Sequence, residues 1–262
     1  MQKSRITNYN FYKFLIGLEK KILKNYLKNK SKIKFDTKRD FQIDPVTKID
    51  FTTEKIIRGE IKKKFPNTSI IGEEYENKKT KSEYTWYIDP IDGTKSLIMG
   101  LPTWSVLISL FKNNKSVLSY AYFPILGERY YANKSVCFKY QGKKKIKINC
   151  NKDVKLNEIK LAINTLHSLR NKRVQKFINK FKGFFKVTGV DSYNFCSIAD
   201  GRYDVLIESG LKIVDIMPII GIVENSGAII TDWNGNKKFS DGNVLVSTNL
   251  KIHKYFLKLI KN

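Results

Sequence analysis

Apolar positions change their spacing along this chain, and the changes mark out its elements. Phe11, Phe14, Leu15, Leu18, Ile22, Tyr26 and Leu27 recur at helical spacing with lysines between them, which predicts an amphipathic helix over 8–29. Ile49, Ile56, Ile57, Ile61 and Phe65 repeat the pattern and predict a second helix over 47–65, ended by Pro66-Asn67. Short apolar runs at 69–72 and 85–89 read as strands, the second stopping at Asp89, with a helix starting near Asp92. From Trp104 to Ser135 the pattern is that of strands. Runs at 106–111 and 117–122 flank a lysine-asparagine turn at 112–115 and predict a hairpin. A turn at 141–145 precedes a strand at 146–148. Beyond about Lys155, strands at 161–163 and 205–207 alternate with helices at 173–181 and 192–199, and an apolar helix-like stretch runs over 216–223. The chain contains no repeat and no low-complexity linker, so the expected class is mixed α/β, with helices and sheets in stacked layers.

Composition narrows this picture. The 262 residues, 42% hydrophobic, suit one large domain or two closely packed halves. No apolar run approaches the roughly 20 residues that a membrane span needs. The start, Met1-Gln-Lys-Ser-Arg-Ile6, lacks the apolar stretch of a secretory signal. Cys137, Cys150 and Cys196, without C-x-x-C spacing, read as reduced thiols and a cytoplasmic setting. A net charge of +25 invites a nucleic-acid reading through Lys62-Lys-Lys64 and Lys143-Lys-Lys145. Lysines spread over every segment form solvated faces rather than one stripe, so a nucleic-acid partner is not expected. The charge should still draw in small anions.

Against that basic background, four acidic clusters stand at the ends of predicted elements. Trp86-Tyr-Ile-Asp-Pro-Ile-Asp-Gly-Thr94 ends an apolar run in two carboxylates followed by Gly-Thr. Hard cations such as Mg²⁺ want oxygen ligands and usually share them with a substrate phosphate. Gly93 would let the backbone approach a ligand, with its N–H and that of Thr94 facing an anion. Glu73-Glu74 follows another short strand, Asp215 precedes an apolar helix, and Asp44-Pro-Val-Thr-Lys-Ile-Asp50 forms the fourth cluster. Thr47 followed by Asp50 also reads as a variant helix-opening box, which makes Thr47 a simple N-cap. The two histidines, His167 and His253, lie beside none of these motifs and read as surface or packing residues, which provides poorly for a phosphohistidine mechanism.

In order and spacing, Asp44-Pro-Val-Thr-x-x-Asp50, Gly72-Glu-Glu74, Asp89-Pro-Ile-Asp-Gly-Thr94 and Asp215 with its helix resemble the inositol monophosphatase family, over about residues 10–250. The resemblance implies an α-β-α-β-α sandwich formed as one domain over 1–262. Its first half, about 1–150, would carry most metal ligands, and its second, about 151–262, Asp215 and the substrate side. It implies two to three Mg²⁺ ions: Glu73, Asp89 and the Ile91 carbonyl at one, Asp89, Asp92 and Asp215 at another, and a weaker ion by Glu73. Glu73 and Thr94, supported by Asp50, would orient and deprotonate water, and the Gly93 and Thr94 amides would cradle phosphate. Asp191 and Glu208 would meet the rest of the substrate, although Asp191 also reads as a helix N-cap ahead of Tyr193–Ala199. Homodimers are common in the family.

Gly100-Leu-Pro-Thr-Trp104, Gly127-Glu-Arg129, Asp191-Ser-Tyr193, Gly210-Leu-Lys212 and Thr231-Asp-Trp233 resemble the histidinol-phosphatase-like branch. That implies a small phosphorylated metabolite, histidinol phosphate first, as part of histidine biosynthesis, with inositol-1-phosphate the alternative. A sugar bisphosphate, phosphoadenosine phosphate, or a silent RNA-binding relative stand further off. Val214 replaces the family's usual Trp, Ser226-Gly227-Ala228 its Gly-Gly pair, and Lys95-Ser96 the Thr-Asn of the inositol branch. None of these departures removes a metal ligand.

Overall fold

Two sheets with helices before, between and behind them form five layers in the computed structural model, which describes residues 10–37, 45–166, 169 and 171–261. The first layer is α1 (Phe11–Asn29) and, after a short antiparallel pair β1 (Phe35–Thr37) and β2 (Pro45–Thr47), α2 (Lys48–Lys64). Asn10 caps α1 by accepting from Lys13 N at 3.0 Å, and Thr47 caps α2 as its sequence suggested. Both helices lay their apolar stripes on a seven-stranded sheet. That sheet runs in chain order through β3 (Ser69–Gly72), β4 (Tyr84–Asp92), β5 (Ser105–Lys112), β6 (Lys115–Phe123), β7 (Glu128–Asn133), β8 (Val136–Gln141) and β9 (Lys144–Lys147). Between β4 and β5 lies the one-turn helix α3 (Thr94–Ile98).

Alternation along the strands sends side chains into two separate cores. Trp86, Ile108, Leu110, Tyr120 and Tyr131 pack under α1 and α2. Leu107, Ala121, Phe123, Tyr130 and Ala132 face the other way. The second sheet orders its strands as β11-β10-β12-β14-β13, from β10 (Lys160–Ile163), β11 (Phe184–Val187), β12 (Val205–Glu208), β13 (Ile229–Thr231) and β14 (Val244–Ser247). Three helices accompany it: α4 (Lys172–Lys180), α5 (Asp191–Ala199) and α6 (Ile213–Asn225), followed by a last one, α7 (Leu250–Lys261). α5 and α6 fill the space between the sheets, sharing a core with Ala162, Leu206 and Val246. α4 and α7 cover the outer face through Ile178, Ile252 and Phe256.

Helix α6 comes unusually close to the large sheet. The Gly221 N–H donates to Ser119 Oγ at 3.1 Å, and a Cβ there would stand 2.6 Å from the Ser116 and Ser119 hydroxyls. Only glycine opposite a serine lets the backbone settle there.

The expected class and layering hold, with shifts at the ends of elements. Strand β4 continues to Asp92 rather than stopping at Asp89, and the following helix starts at Thr94 rather than near Asp92. The hairpin turn shortens to Asn113-Asn114, both at positive φ, and β8 and β9 consume most of the turn expected at 141–145. Helix α7, β13 and β14 stand where no element was marked. Asp44 and His167 lie outside the described residues. The three cysteines are buried and free. No helix among the described residues is long and apolar enough to cross a membrane. Lys62–64 end α2 just before edge strand β3, while Lys143–145 lie at β9, the opposite edge, and all six are exposed.

His253 on α7 is only 2% exposed, its two ring nitrogens 2.9 Å and 2.8 Å from the hydroxyls of Thr231 and Ser247. Burial holds its imidazole down to about 4, against 6.5 when solvated. Across that window the unfolded chain binds the extra proton, so this contribution to stability is complete above pH 6.5 and is lost as pH falls towards 4. Urea denaturation should therefore show the wild type losing roughly 3 kcal/mol more than His253→Gln between pH 7 and 4. Parallel pH profiles for the two proteins would contradict this.

Candidate active site

Strict alternation would send Asp89 and Asp92, three residues apart, to opposite faces of β4. A bulge prevents that. Asp89 pairs with Leu107 and Asp92 with Ser105, so Pro90 and Ile91 together span the single residue Val106. Ile88 and Ile91 consequently share the core beneath α1 and α2, and both carboxylates turn the other way. Pro90, with no N–H to give the ladder, fits a bulge at no loss. The two carboxylates are 2% and 5% exposed. Asp89 accepts from the Ile91 N–H at 3.0 Å, and Asp92 accepts from the Ser192 N–H at 2.9 Å and from the Ser192 hydroxyl. Ser192 Oγ lies in turn 2.8 Å from Ser105 Oγ.

Neighbouring elements bring further acids to the same place. β3 runs parallel to β4 with Gly72 beside Ile88, so Glu73 emerges next to Asp89. Asp215, in the first turn of α6, accepts from the Lys212 N–H at 2.6 Å. Asp50, in the first turn of α2, is buried and accepts from Thr47 and, at 3.1 Å, from Thr94 Oγ1. The same hydroxyl lies 3.1 Å from the Ile91 carbonyl, which ties Thr94 to both motifs. Gly93, at φ +83°, has no room for a side chain: a Cβ would meet Val190 Cγ2 at 2.9 Å.

On the far side, Asp191 opens α5. It accepts from Asn164 Nδ2 at 2.6 Å, while the cap position itself belongs to Val190. Glu208, 1% exposed at the end of β12, accepts from Asn194 Nδ2 at 3.3 Å through Oε1, and its Oε2 has no partner. Asn164 Oδ1 is likewise buried and unpartnered.

Electrostatics reflect the crowding. Burial first, then repulsion from Glu73, Asp92 and Asp215, pushes Asp89 well above the usual carboxylate range. Burial lifts Asp92 to about 6 despite the Ser192 bonds, and burial with Glu73 lifts Asp215 to about 8. Asp191 and Glu208 also rise well above their ordinary values, through burial and then through neighbouring acids. A carboxylate cluster of this kind ionises fully when a cation is supplied, and its donors are all oxygen, the chemistry that suits Mg²⁺. The residues fit such an ion in kind. As they stand, no three acidic, thiol or imidazole groups among the described residues close into a metal cage. Glu73 Oε1 instead lies 2.8 Å from the Lys212 ammonium.

Several contributors escaped the sequence reading. Ser192 lies inside the Asp191-Ser-Tyr193 motif, but nothing in that motif marks it as a donor to Asp92. Lys212 stands three residues before Asp215, a spacing that suits a helix start. Glu54 and Arg58 look like an ordinary surface i,i+4 pair, yet they are buried and joined at 2.6 Å. Glu54 Oε2 accepts from the Glu74 N–H at 2.7 Å, while Arg58 donates to the carbonyls of Tyr75 and Glu76 at 3.0 Å and 3.1 Å. This pair braces the loop that carries Glu73. A Cβ on Gly72 would collide with the Glu54 carboxylate and the Arg58 guanidinium.

A sequence model of the inositol monophosphatase family matches residues 8–262. The bifunctional phosphatase IMPL2, chloroplastic, of Arabidopsis thaliana is 33% identical over 208 residues, 78% of this chain and 59% of that longer protein. The histidinol-phosphatase of Chlorobaculum parvum is 30% identical over 224 residues, 83% of this chain and 84% of that one. The solved structure of an IMPase from Thermotoga maritima matches with a TM-score of 0.83 at 25% identity, over 97% of both chains.

Arg58→Met should cost roughly 3–5 kcal/mol in urea denaturation, because it leaves the Glu54 charge buried without its partner. Faster amide exchange should accompany it in the loop at 73–76. A loss below about 1 kcal/mol would mean that the pair does not brace this loop.

Proposed function

Because this chain belongs to the inositol monophosphatase family, a family of phosphatases, we propose that it is a metal-dependent phosphomonoesterase acting on a small phosphorylated amine, histidinol phosphate first. The observation that carries the reaction class is the bulge in β4, which turns Asp89 and Asp92 to one face beside Glu73 and Asp215. Glu73, Asp89, the Ile91 carbonyl, Asp92 and Asp215 would hold the ions. When bound, Mg²⁺ supplies positive charge against the phosphoryl oxygens and makes nearby water more acidic.

The chain's own groups do the rest. Thr94 Oγ1 gives its proton to Asp50 Oδ1 or to the Ile91 carbonyl, so its lone pairs are left to accept from the attacking water. Asp50, raised by burial, is suited to share that proton. Glu73 would be the carboxylate that takes the proton from water. Gly93 turns through a left-handed conformation, and its amide and that of Thr94 would face the phosphate.

The acceptors on the far side support this substrate. Glu208 Oε2 and Asn164 Oδ1 lack donors, and Asp191 beside them is another acceptor. A leaving group rich in N–H donors satisfies them, and a positive charge relieves the strain that burial puts on both carboxyls. Histidinol phosphate brings an ammonium and an imidazole. Inositol-1-phosphate brings only hydroxyls.

Phosphate release with Mg²⁺ should be fastest on histidinol phosphate in a panel with inositol-1-phosphate, fructose-1,6-bisphosphate and phosphoadenosine phosphate. Asp92→Asn should lower turnover at least roughly 100-fold while the protein still melts cooperatively. Turnover near wild type in that variant would sink the metal-site assignment. Preference for inositol-1-phosphate would retain the reaction and discard the amine.

A further inference from the structure

Lys212 meets acids from both halves of the chain. Its ammonium lies 2.8 Å from Glu73 Oε1, and its backbone N–H 2.6 Å from Asp215 Oδ2. A flexible four-carbon stem carries the charge, and the side chain is 42% exposed, so the ammonium has open solvent to move into. Building on the phosphatase reading, we propose that Lys212 is a tethered cation that competes with the divalent ion for Glu73, holding that carboxylate until the ion displaces it.

The argument is one of shared atoms and signs. The Glu73 oxygen held by Nζ is one that a hard cation would need. Two positive charges within a few ångströms of one carboxylate repel each other, so the lysine and the ion do not both remain. An ion pair at this degree of exposure is weak, which makes it displaceable rather than blocking. The tether matters because α6 starts at Ile213, immediately after Lys212, with Asp215 in its first turn. The competing charge is thus anchored by its own backbone to another acid of the same site. A lysine that merely propped Glu73 in place for the ion would have the opposite effect, since its loss would weaken metal binding.

Calorimetric titration with Mg²⁺ alone, without phosphate or substrate, separates the two roles. Lys212→Gln should bind Mg²⁺ roughly three- to tenfold more tightly than wild type, through loss of the competing pair and of one nearby positive charge. Lys212→Arg, whose planar fork grips a carboxylate at two points, should bind it roughly two- to fivefold more weakly. The arginine variant keeps the charge and tests the competition even if the glutamine variant folds poorly. Unchanged or weaker binding in Lys212→Gln, or tighter binding in Lys212→Arg, would overturn the proposal while leaving the phosphatase reading intact. Absence of any Mg²⁺ binding by wild type would overturn both.

Discussion

Placing like charges together out of water is the constraint around which this structure is arranged. Removing a carboxylate from solvent costs several kcal/mol even after relaxation, and a second one nearby adds repulsion that a poorly polarisable interior barely screens. Asp89 and Asp92 are both buried, with Glu73 close enough to raise both further and Asp215 close enough to raise Asp89. The fold answers each charge with donors. Ile91 gives an amide to Asp89, Ser192 an amide and a hydroxyl to Asp92, and Lys212 an amide to Asp215 and an ammonium to Glu73. What these donors leave uncompensated shows in the raised affinity of Asp89, Asp92 and Asp215 for protons. An arrangement held at this cost is the kind that binds a cation well, because the ion arrives where negative charge is already concentrated.

Much of this was legible in the residues, and the reasons for the gaps are physical. Helices α1 and α2 follow from apolar spacing, and the Thr47-Asp50 pair announces the start of α2. The acidic motifs sit at strand and helix ends, as their flanking apolar runs suggest. The bulge was not legible, since Pro90 signals only that the ladder is interrupted, not that Asp92 still belongs to the strand. Ser192 acts on a carboxylate a hundred residues away, and no local pattern encodes such a partner. Glu54 and Arg58 have the spacing of a solvent-facing ion pair. Only the approach of Gly72, with no side chain of its own, converts them into a buried brace. Helix α7 has a clear apolar face in Ile252, Phe256 and Ile260 at helical spacing, a pattern that carries no chemical motif.

The two sheets divide the work of the site. The large one carries the paired aspartates, with Glu73 at its edge, while the smaller one and α5 carry Asp191, Glu208 and the unpartnered acceptor of Asn164. Ser192 joins them, because it follows Asp191 directly and binds Asp92. A displacement of α5 would therefore be felt on both sides at once. The excess of positive charge lies elsewhere, with lysine clusters at opposite edges of the large sheet. A net charge of +25 of this kind would favour the approach of small anions.

The bond from Ser192 to Asp92 also bears on the order of assembly. The large sheet is built from neighbours in sequence, each strand beside the next, so it can form while the second half of the chain is still emerging from the ribosome. At that stage Asp89 and Asp92 would lie on an open face, wetted and screened, and their repulsion would be slight. Only when α5 and α6 dock does water leave and the full opposition appear, together with the serine and lysine donors that temper it. In a chain that folded in this order, the least favourable contact would form last, after everything that compensates for it had been synthesised.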